Sequence, residues 1–454
     1  MQQRVKSWGL FMLMLVLVMM TACSGSSDPE SGKKELTVVY RSPGSVDSLK
    51  KFFESGVVEE FEKEHPDIDV KIAPITASEG DYFSKVALQM KSEETAPDVV
   101  SEDTFMLNSD ANAGYLEPLD DRIAGWDEWD NIIENLKSGV TAEDGKVYGV
   151  PSTSDSRGLW YSKELFQEAG LPVPWEPKTW EDVLEAAITI KEKTDGVTPL
   201  FMQVGKANGE AVSMQTLEML LYGTGDTLYD ESDKKWVVDS PGLLDSFRFI
   251  EQVYNKEKIG PDFSVVMSGQ SGNVAFQQLF PQKKLAIALD GSWNARNWAE
   301  NGAAPIENVE EKIGFAPMPT QEGQDPGTIT MSGGWAWAIP SKADMKEEAW
   351  EFIQFLMEKD NSINRSLTDG NLNTRIDAVE VEEYVNRPYA KEAQAFLENA
   401  QFRPANDKYP AVSTQLQTVV EAVATGKLSP EAAVEQYKAG VERVVGKENT
   451  KVAE

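Results

Sequence analysis

Short β-branched runs and amphipathic stretches alternate along the chain. Leu36–Tyr40 (LTVVY) has the composition of a strand, and Leu49, Phe52, Phe53, Val57 and Phe61 then mark one face of a helix. That helix must end before Pro66, since a residue preceding proline is pushed out of helical geometry. Ile68–Ile72 alternates apolar with polar, Tyr82–Met90 returns to helical spacing, and Asp98-Val99-Val100 is a brief strand after Pro97. Strands separated by helices imply a parallel sheet with helices on its faces, an α/β class.

The clearest helix lies near the middle. Trp180, Val183, Leu184, Ala187 and Ile188 fall on one face of a 3.6-residue period, and Thr179 with Asp182 three residues on makes a near capping box. This spacing predicts a core position for Trp180. Further helices are predicted over Lys346–Met357, over Gln415–Thr425, and from Ser429, whose Ser-Pro-Glu start suits a cap followed by proline in the first turn. No tandem repeat is visible, and the polar end Lys447–Glu454 is expected to fray.

Composition narrows the chemistry. The chain has 454 residues, 41% of them hydrophobic, enough for two or three domains with buried cores. A formal charge of −32 argues against a nucleic-acid partner, because phosphate backbones are held by Lys and Arg. An anionic ligand would be repelled unless a local basic pocket intervened. With one His and one Cys, the usual zinc sites and Ser-His-Asp triads have too few members. The His, His65, stands before Pro66 and reads as a helix-end residue. No catalytic set, metal site or cofactor motif emerges; Asp226–Asp233 (DTLYDESD) is acidic, yet its spacing is not that of an EF-hand loop.

The amino end has an address. Arg4 and Lys6 precede an uninterrupted apolar run from Leu10 to Met20, shorter than the about 20 residues a membrane-spanning helix needs. Met20-Thr21-Ala22-Cys23 resembles a bacterial lipoprotein signal. The resemblance implies a signal peptide over residues 1–22, cleavage before Cys23, and attachment of a diacylglyceryl group to its thiol. Two acyl chains hold a protein at a membrane where one would not. Residues 23–34, a Ser/Gly/Pro-rich polar stretch, then form a flexible tether.

A series of segments points to a family. YGVPSTSDSRGLWYSKELFQEAGLPVP begins at Tyr148 and TWEDVLEAA at Thr179; FQQLFPQKKLAIALDGSW runs from Phe276 to Trp293, GFAPMP from Gly314, SGGWAWAIP from Ser332, AWEFIQFL from Ala349 and GNLNTRIDA from Gly370. In this order and spacing they resemble the family 1 extracellular solute-binding proteins, the sugar-binding subunits of ABC importers related to maltose-binding protein. The resemblance covers nearly the whole chain after the tether. It implies a two-lobed periplasmic-binding-protein-like fold of type II, each lobe a mostly parallel sheet flanked by helices, with about three hinge crossings. The crossings are expected near Pro151–Arg157, Leu289–Trp293 and Ile339–Ala343. The first lobe would then combine 35–152 with 291–339, and the second 153–290 with 340–454. The implied partners are an oligosaccharide, the permease subunits of an importer, and the membrane through the anchor at Cys23, with the chain working as a monomer on the extracellular face.

A sugar offers hydroxyls at its rim and C–H groups on its faces, so its site needs aromatic planes together with carboxylates or amides. In related proteins the aromatic of the Gly-Gly-Trp piece, here Trp335, and that of the Gly-Ser-Trp piece, here Trp293, face the ligand. Trp337, two residues on from Trp335, is expected on the same strand face and reads as core or as a second platform. Asp103 follows the strand Asp98–Val100 at the position of a sugar-contacting carboxylate of maltose-binding protein, with Glu102 beside it; a helix N-cap is the other reading of Asp103. Asp290 ends the apolar run Leu285–Leu289, and Asp155 and Arg157 lie in the first crossing, where they touch ligand or pair with each other. Arg375 stands where the family has Pro-x-Arg, with Asn373 replacing the Pro; its other reading is a structural ion pair. Asp103, Trp293 and Trp335 would come from the first lobe, and Asp155, Arg157 and Arg375 from on or near the second.

Rival readings remain at this point. Paired carboxylates beside aromatic planes also describe a glycosidase cleft. A small non-sugar solute such as a polyol phosphate or polyamine is a second rival, and for a phosphate Arg41-Ser42-Pro43-Gly44-Ser45 is the one cationic hint.

Overall fold

The computed structural model describes residues 33–42, 47–77 and 79–453. The signal peptide, Cys23, the tether up to residue 32 and the segment 43–46 lie outside the described residues. The strands in chain order are β1 (Lys34–Ser42), β2 (Ile68–Thr76), β3 (Val99–Asp103), β4 (Val150–Pro151), β5 (Arg157–Ser162), β6 (Thr198–Phe201), β7 (Tyr229–Asp230), β8 (Lys235–Asp239), β9 (Leu285–Gly291), β10 (Ile313–Ala316), β11 (Met318–Pro319), β12 (Thr328–Met331), β13 (Trp335–Ala338), β14 (Ala400–Gln401) and β15 (Thr450–Val452).

Two sheets organise the molecule into two lobes. The first has the order β2-β1-β3-β13-β4 and the second β10-β5-β9-β6. In the first sheet β13 alone runs against its neighbours β3 and β4, and in the second β5 alone runs against β10 and β9. Both reversed strands are entered directly from a hinge crossing. A chain leaving one sheet at its carboxyl edge enters the other from that same edge, and so must run the opposite way. Each sheet is otherwise unidirectional, and its carboxyl edge faces the hinge.

The first lobe buries both faces of its sheet, as the mostly apolar, β-branched run LTVVY leads one to expect. Leu36, Val38, Val99 and Trp337 pack to one side with Trp350 and Phe352; Val39, Val100, Ala336 and Ala338 pack to the other with Tyr82. The second lobe has one core in which Trp160, Trp180, Ile287 and Tyr437 meet.

The helix Trp180–Lys193 carries a complete capping box between Thr179 and Asp182, and its buried positions include Trp180, Val183, Leu184 and Ala187. Ser429 caps the helix Pro430–Val445. His65 ends the helix Val58–Glu64 and stacks on Phe61 at 4.2 Å. Residues 450–453 do not fray. β15 pairs with β8, and Lys451 bridges Asp230 and Asp233, which closes the acidic turn Asp226–Asp233 with a cation from the chain itself.

Three crossings are present, but only the first lies where the sequence placed it, between β4 and β5. Residues 291–331, expected in the first lobe, belong to the second. Trp298 packs edge-on against Trp160 at 5.0 Å, and β10 pairs with β5. The second crossing is therefore the short link between β12 and β13, at residues 332–334. Conversely, the helix Lys346–Leu356, expected in the second lobe, packs on the first: Trp350 lies edge-on to Trp126 at 5.4 Å. The third crossing comes after the helix Lys359–Asp369, where Leu372 bridges Ser154 in the first crossing and packs into the second core.

Candidate ligand-binding cleft between the two lobes

A polar cavity of about 590 Å³ opens between the carboxyl edges of the two sheets. Arg41, Thr76 and Asp103, at or near the ends of β1, β2 and β3, line it from one side, and Asp290 from the end of β9 on the other. The first residues of the two reversed strands, Arg157 and Trp335, complete the hinge side. Ligands of α/β sheets bind beyond the carboxyl ends of strands, and the volume lies within the range of about 300–1,000 Å³ usual for small-molecule sites.

Trp335 opens β13 opposite Asp103. Its ring leans against Tyr82 at 6.0 Å and Phe83 at 6.3 Å, half-buried and with an edge on the cavity. The preceding Gly334 sits at φ +132°, and a Cβ there would lie 2.0 Å from the carbonyl oxygen of Thr153. Glycine is thus required where the second crossing passes the first. Trp337 is not on the same side. It is fully buried against Phe53 at 6.1 Å, with the Arg365 guanidinium 4.7 Å from its ring, so it is core.

Trp293 comes from the second lobe, not the first, since it follows β9. Its ring folds back over Gly291, where a Cβ would fall 2.0 Å from the indole, and the Arg157 guanidinium lies 4.8 Å from the ring. Two tryptophans on opposite lobes therefore border one cavity.

Asp103 does two jobs. It caps the helix Thr104–Asn112 by accepting from the Phe105 amide at 2.8 Å, and it accepts from Arg403 at 3.0 Å while lining the cavity. Arg403 also lies 3.6 Å from Glu210 of the second lobe, so one guanidinium ties the two lobes at the cleft floor. Asp155 and Arg157 pair with each other, and Asp155 also accepts from the Gly333 amide at 2.9 Å, joining two crossings. Asp290 is buried and accepts from the Gly291 amide at 2.7 Å, Asn294 at 3.0 Å and Gln203 at 3.1 Å. Burial pushes its pKa up; those donors and the charge of Arg157 pull against that.

Two of the expected site residues lie elsewhere. Glu102 precedes Asp103 on β3 and so points to the opposite face, where it is buried beside Asp110. Burial, followed by the neighbouring negative charges, pushes its pKa well up, and Asp110 rises to about 6. Arg375 is 1% exposed, and its donors are taken by Asp377 at 2.8 and 2.9 Å, by the Met357 carbonyl at 2.8 Å, and by Glu128. It fastens the third crossing to the first lobe. Asn373, in place of the Pro, holds the same loop by donating to the Ser362 carbonyl at 3.0 Å and accepting from the Arg375 amide at 2.9 Å.

Sequence reasoning missed most of the second-lobe wall. Gln203, Gln270, Asn273, Gln277, Asn294 and Asn297 line the cavity and give that wall an amide surface, matched to hydroxyl groups that both donate and accept. The available signal was position: Gln203 comes two residues after the strand Thr198–Phe201, and Asn294 and Asn297 follow Trp293. Beneath the wall, Tyr409 hydrogen-bonds Glu210 at 2.7 Å and also Glu218, whose pKa burial and the nearby Glu210 charge raise to about 8.

Residues 44–363 match the family described as bacterial extracellular solute-binding protein. The chain is 27% identical over 402 residues to the melibiose/raffinose/stachyose-binding protein of Bacillus subtilis (strain 168), covering 83% of this chain and 86% of that protein. It is 26% identical over 343 residues to the maltooligosaccharide ABC transporter solute-binding lipoprotein of Streptococcus pneumoniae (strain ATCC BAA-255 / R6), covering 74% and 70% respectively. Among solved structures, an ABC transporter solute-binding protein from Thermotoga lettingae TMO bound with α-D-tagatose superposes with a TM-score of 0.78 at 26% identity, covering 91% of this chain and all of that one.

Proposed function

The chain belongs to the bacterial extracellular solute-binding proteins, and we propose that it captures a saccharide between its lobes and hands it to the permease of an ABC importer. Relatives named for melibiose, raffinose and stachyose and for maltooligosaccharide support this ligand class. The observation that carries it is the pair Trp335 and Trp293, brought from opposite lobes to one polar cavity. Aromatic planes offer apolar faces to sugar C–H groups, while Asp290, Asp103, Asp155 and the amide wall offer rim partners.

Contacts from both lobes are what such capture requires. A ligand shifts the open–closed balance only by its differential affinity for the two states, so a site on one lobe alone would not favour closure. The crossings at 152–156, at 332–334 and after Asp369 are the segments that absorb the movement. The lipidated Cys23 holds the protein on the outer face of the cell membrane near its permease; among the described residues no helix is long and apolar enough to cross a membrane. Mass spectrometry of protein purified from cells is expected to find a diacylglyceryl-modified amino terminus at Cys23, and an unmodified thiol there would remove the anchor.

The test is titration calorimetry against a saccharide panel, with recovery of the ligand afterwards. Micromolar binding corresponds to about −8 kcal/mol, and at 100 times the dissociation constant the ligand adds about 2.7 kcal/mol of stability, visible as a thermal shift. Unchanged ligand recovered from the complex distinguishes capture from glycosidic cleavage. Absence of binding to every saccharide tried would sink the reading.

A further inference from the structure

Three arginines converge at one corner of the cleft: Arg41 at the end of β1, Arg296 in the turn after β9, and Arg365 on the helix Lys359–Asp369, all lining the cavity. The corner is closely built. Gly370 ends that helix, and a Cβ on it would stand 3.0 Å from the Cβ of Arg296. The carboxylates nearby are already engaged. Asp369 accepts from Arg365 at 3.3 Å and from the Asn371 amide at 2.8 Å; Asp47 accepts from the Tyr40 hydroxyl at 3.0 Å and the Lys50 amide at 2.9 Å.

Arg365 is 5% exposed, and its Nη1 is buried without a hydrogen-bond partner. Arg296 is exposed to the cavity and, among the described residues, its guanidinium has no hydrogen-bond or ion-pair partner. Desolvation by the surrounding cleft walls and the like charge of Arg41 both act against its charge, with Asp369 offsetting them. In a chain of formal charge −32, the Arg296 guanidinium, without a partner among the described residues at a ligand cavity, calls for an anion from outside the protein.

We propose that this corner is an oxyanion subsite, and that the captured saccharide bears a carboxylate or phosphate received by Arg296 in its planar fork, with Arg365 and Arg41 adding charge. The proposal rests on the saccharide reading above and narrows it to an acidic sugar.

The experiment is calorimetry on the purified protein with matched pairs: trigalacturonate against the same trimer fully methyl-esterified, glucose 6-phosphate against glucose, and maltotriose and raffinose as neutral references. The anionic member of at least one pair is expected to bind about tenfold or more tightly than its neutral twin, in line with charge-assisted hydrogen bonds; which pair shows it identifies carboxylate or phosphate. Arg296→Gln should abolish that preference and Arg296→Lys retain it, with thermal melts of both variants confirming that they are folded. Neutral saccharides binding as tightly as acidic ones, or a preference that survives Arg296→Gln, overturns the subsite alone. No binding of any saccharide, neutral or acidic, overturns the saccharide reading and the subsite together.

Discussion

The two central strands that end at the cleft, β3 and β9, each carry an aspartate in their last two residues, yet the two lobes treat that carboxylate differently. Asp103 is neutralised across the lobe boundary by a cation, Arg403, which also approaches the buried Glu210 of its own lobe. Asp290 has neutral donors within hydrogen-bond reach: one backbone amide and the side chains of Gln203 and Asn294. The first solution fixes geometry, because a shared guanidinium holds two lobes in register. The second leaves a carboxylate buried among amides, where a ligand hydroxyl can join its neutral partners. One wall of the cleft is structural in its electrostatics and the other receptive.

That contrast can be broken most sharply at Arg403. Arg403→Met removes the cation from the buried Glu210 and the half-buried Asp103, and chemical unfolding should show a loss of about 3 kcal/mol or more. Gln203→Ala, which takes one neutral donor from Asp290, should cost about 1–2 kcal/mol. Equal losses at the two positions would mean that the walls do not differ in kind.

The aromatic pair sharpens the same comparison. Trp335→Ala should weaken saccharide binding about thirtyfold, a hot-spot loss of about 2 kcal/mol, with Trp293→Ala close behind, because the two rings come from opposite lobes. Calorimetry in which only one of them matters would confine the site to one lobe.

A further expected effect is in pH. Burial, followed by the nearby Glu210 charge, raises the Glu218 carboxyl from its ordinary 4.5 to about 8 in the folded state. A carboxyl raised on folding binds its proton more tightly in the native state. Its contribution is therefore fully present below the unfolded pKa and is lost as pH rises through the folded one, a window of about 4.5 to 8. Glu218→Gln should flatten thermal stability across that window and leave it nearly unaltered at pH 4; an unchanged slope would contradict the assignment.

Much of the fold was legible in the sequence because it rests on local rules. The period of Trp180–Ile188 and the Thr179–Asp182 cap define their helix without tertiary help. Lobe membership was not legible in the same way. GFAPMP and its neighbours are short apolar strands whose composition suits either sheet, and only the pairing of β10 with β5 assigns them. Cleft positions were found where a polar or aromatic residue directly abuts the carboxyl end of a strand or a glycine crossing, as at Asp103, Asp290, Trp293 and Trp335. Glu102 fails by a rule the sequence already contained: adjacent strand residues point to opposite faces, so with Asp103 in the cleft its neighbour cannot be. Arg375 fails for a non-local reason, since Glu128 and the Met357 carbonyl reach it from distant parts of the chain.

Small-angle X-ray scattering with and without a saturating saccharide tests the central claim most directly, once calorimetry has identified one that binds. Capture between two hinged lobes requires a smaller radius of gyration in the bound state. Superimposable scattering profiles for the bound and unbound protein would contradict it.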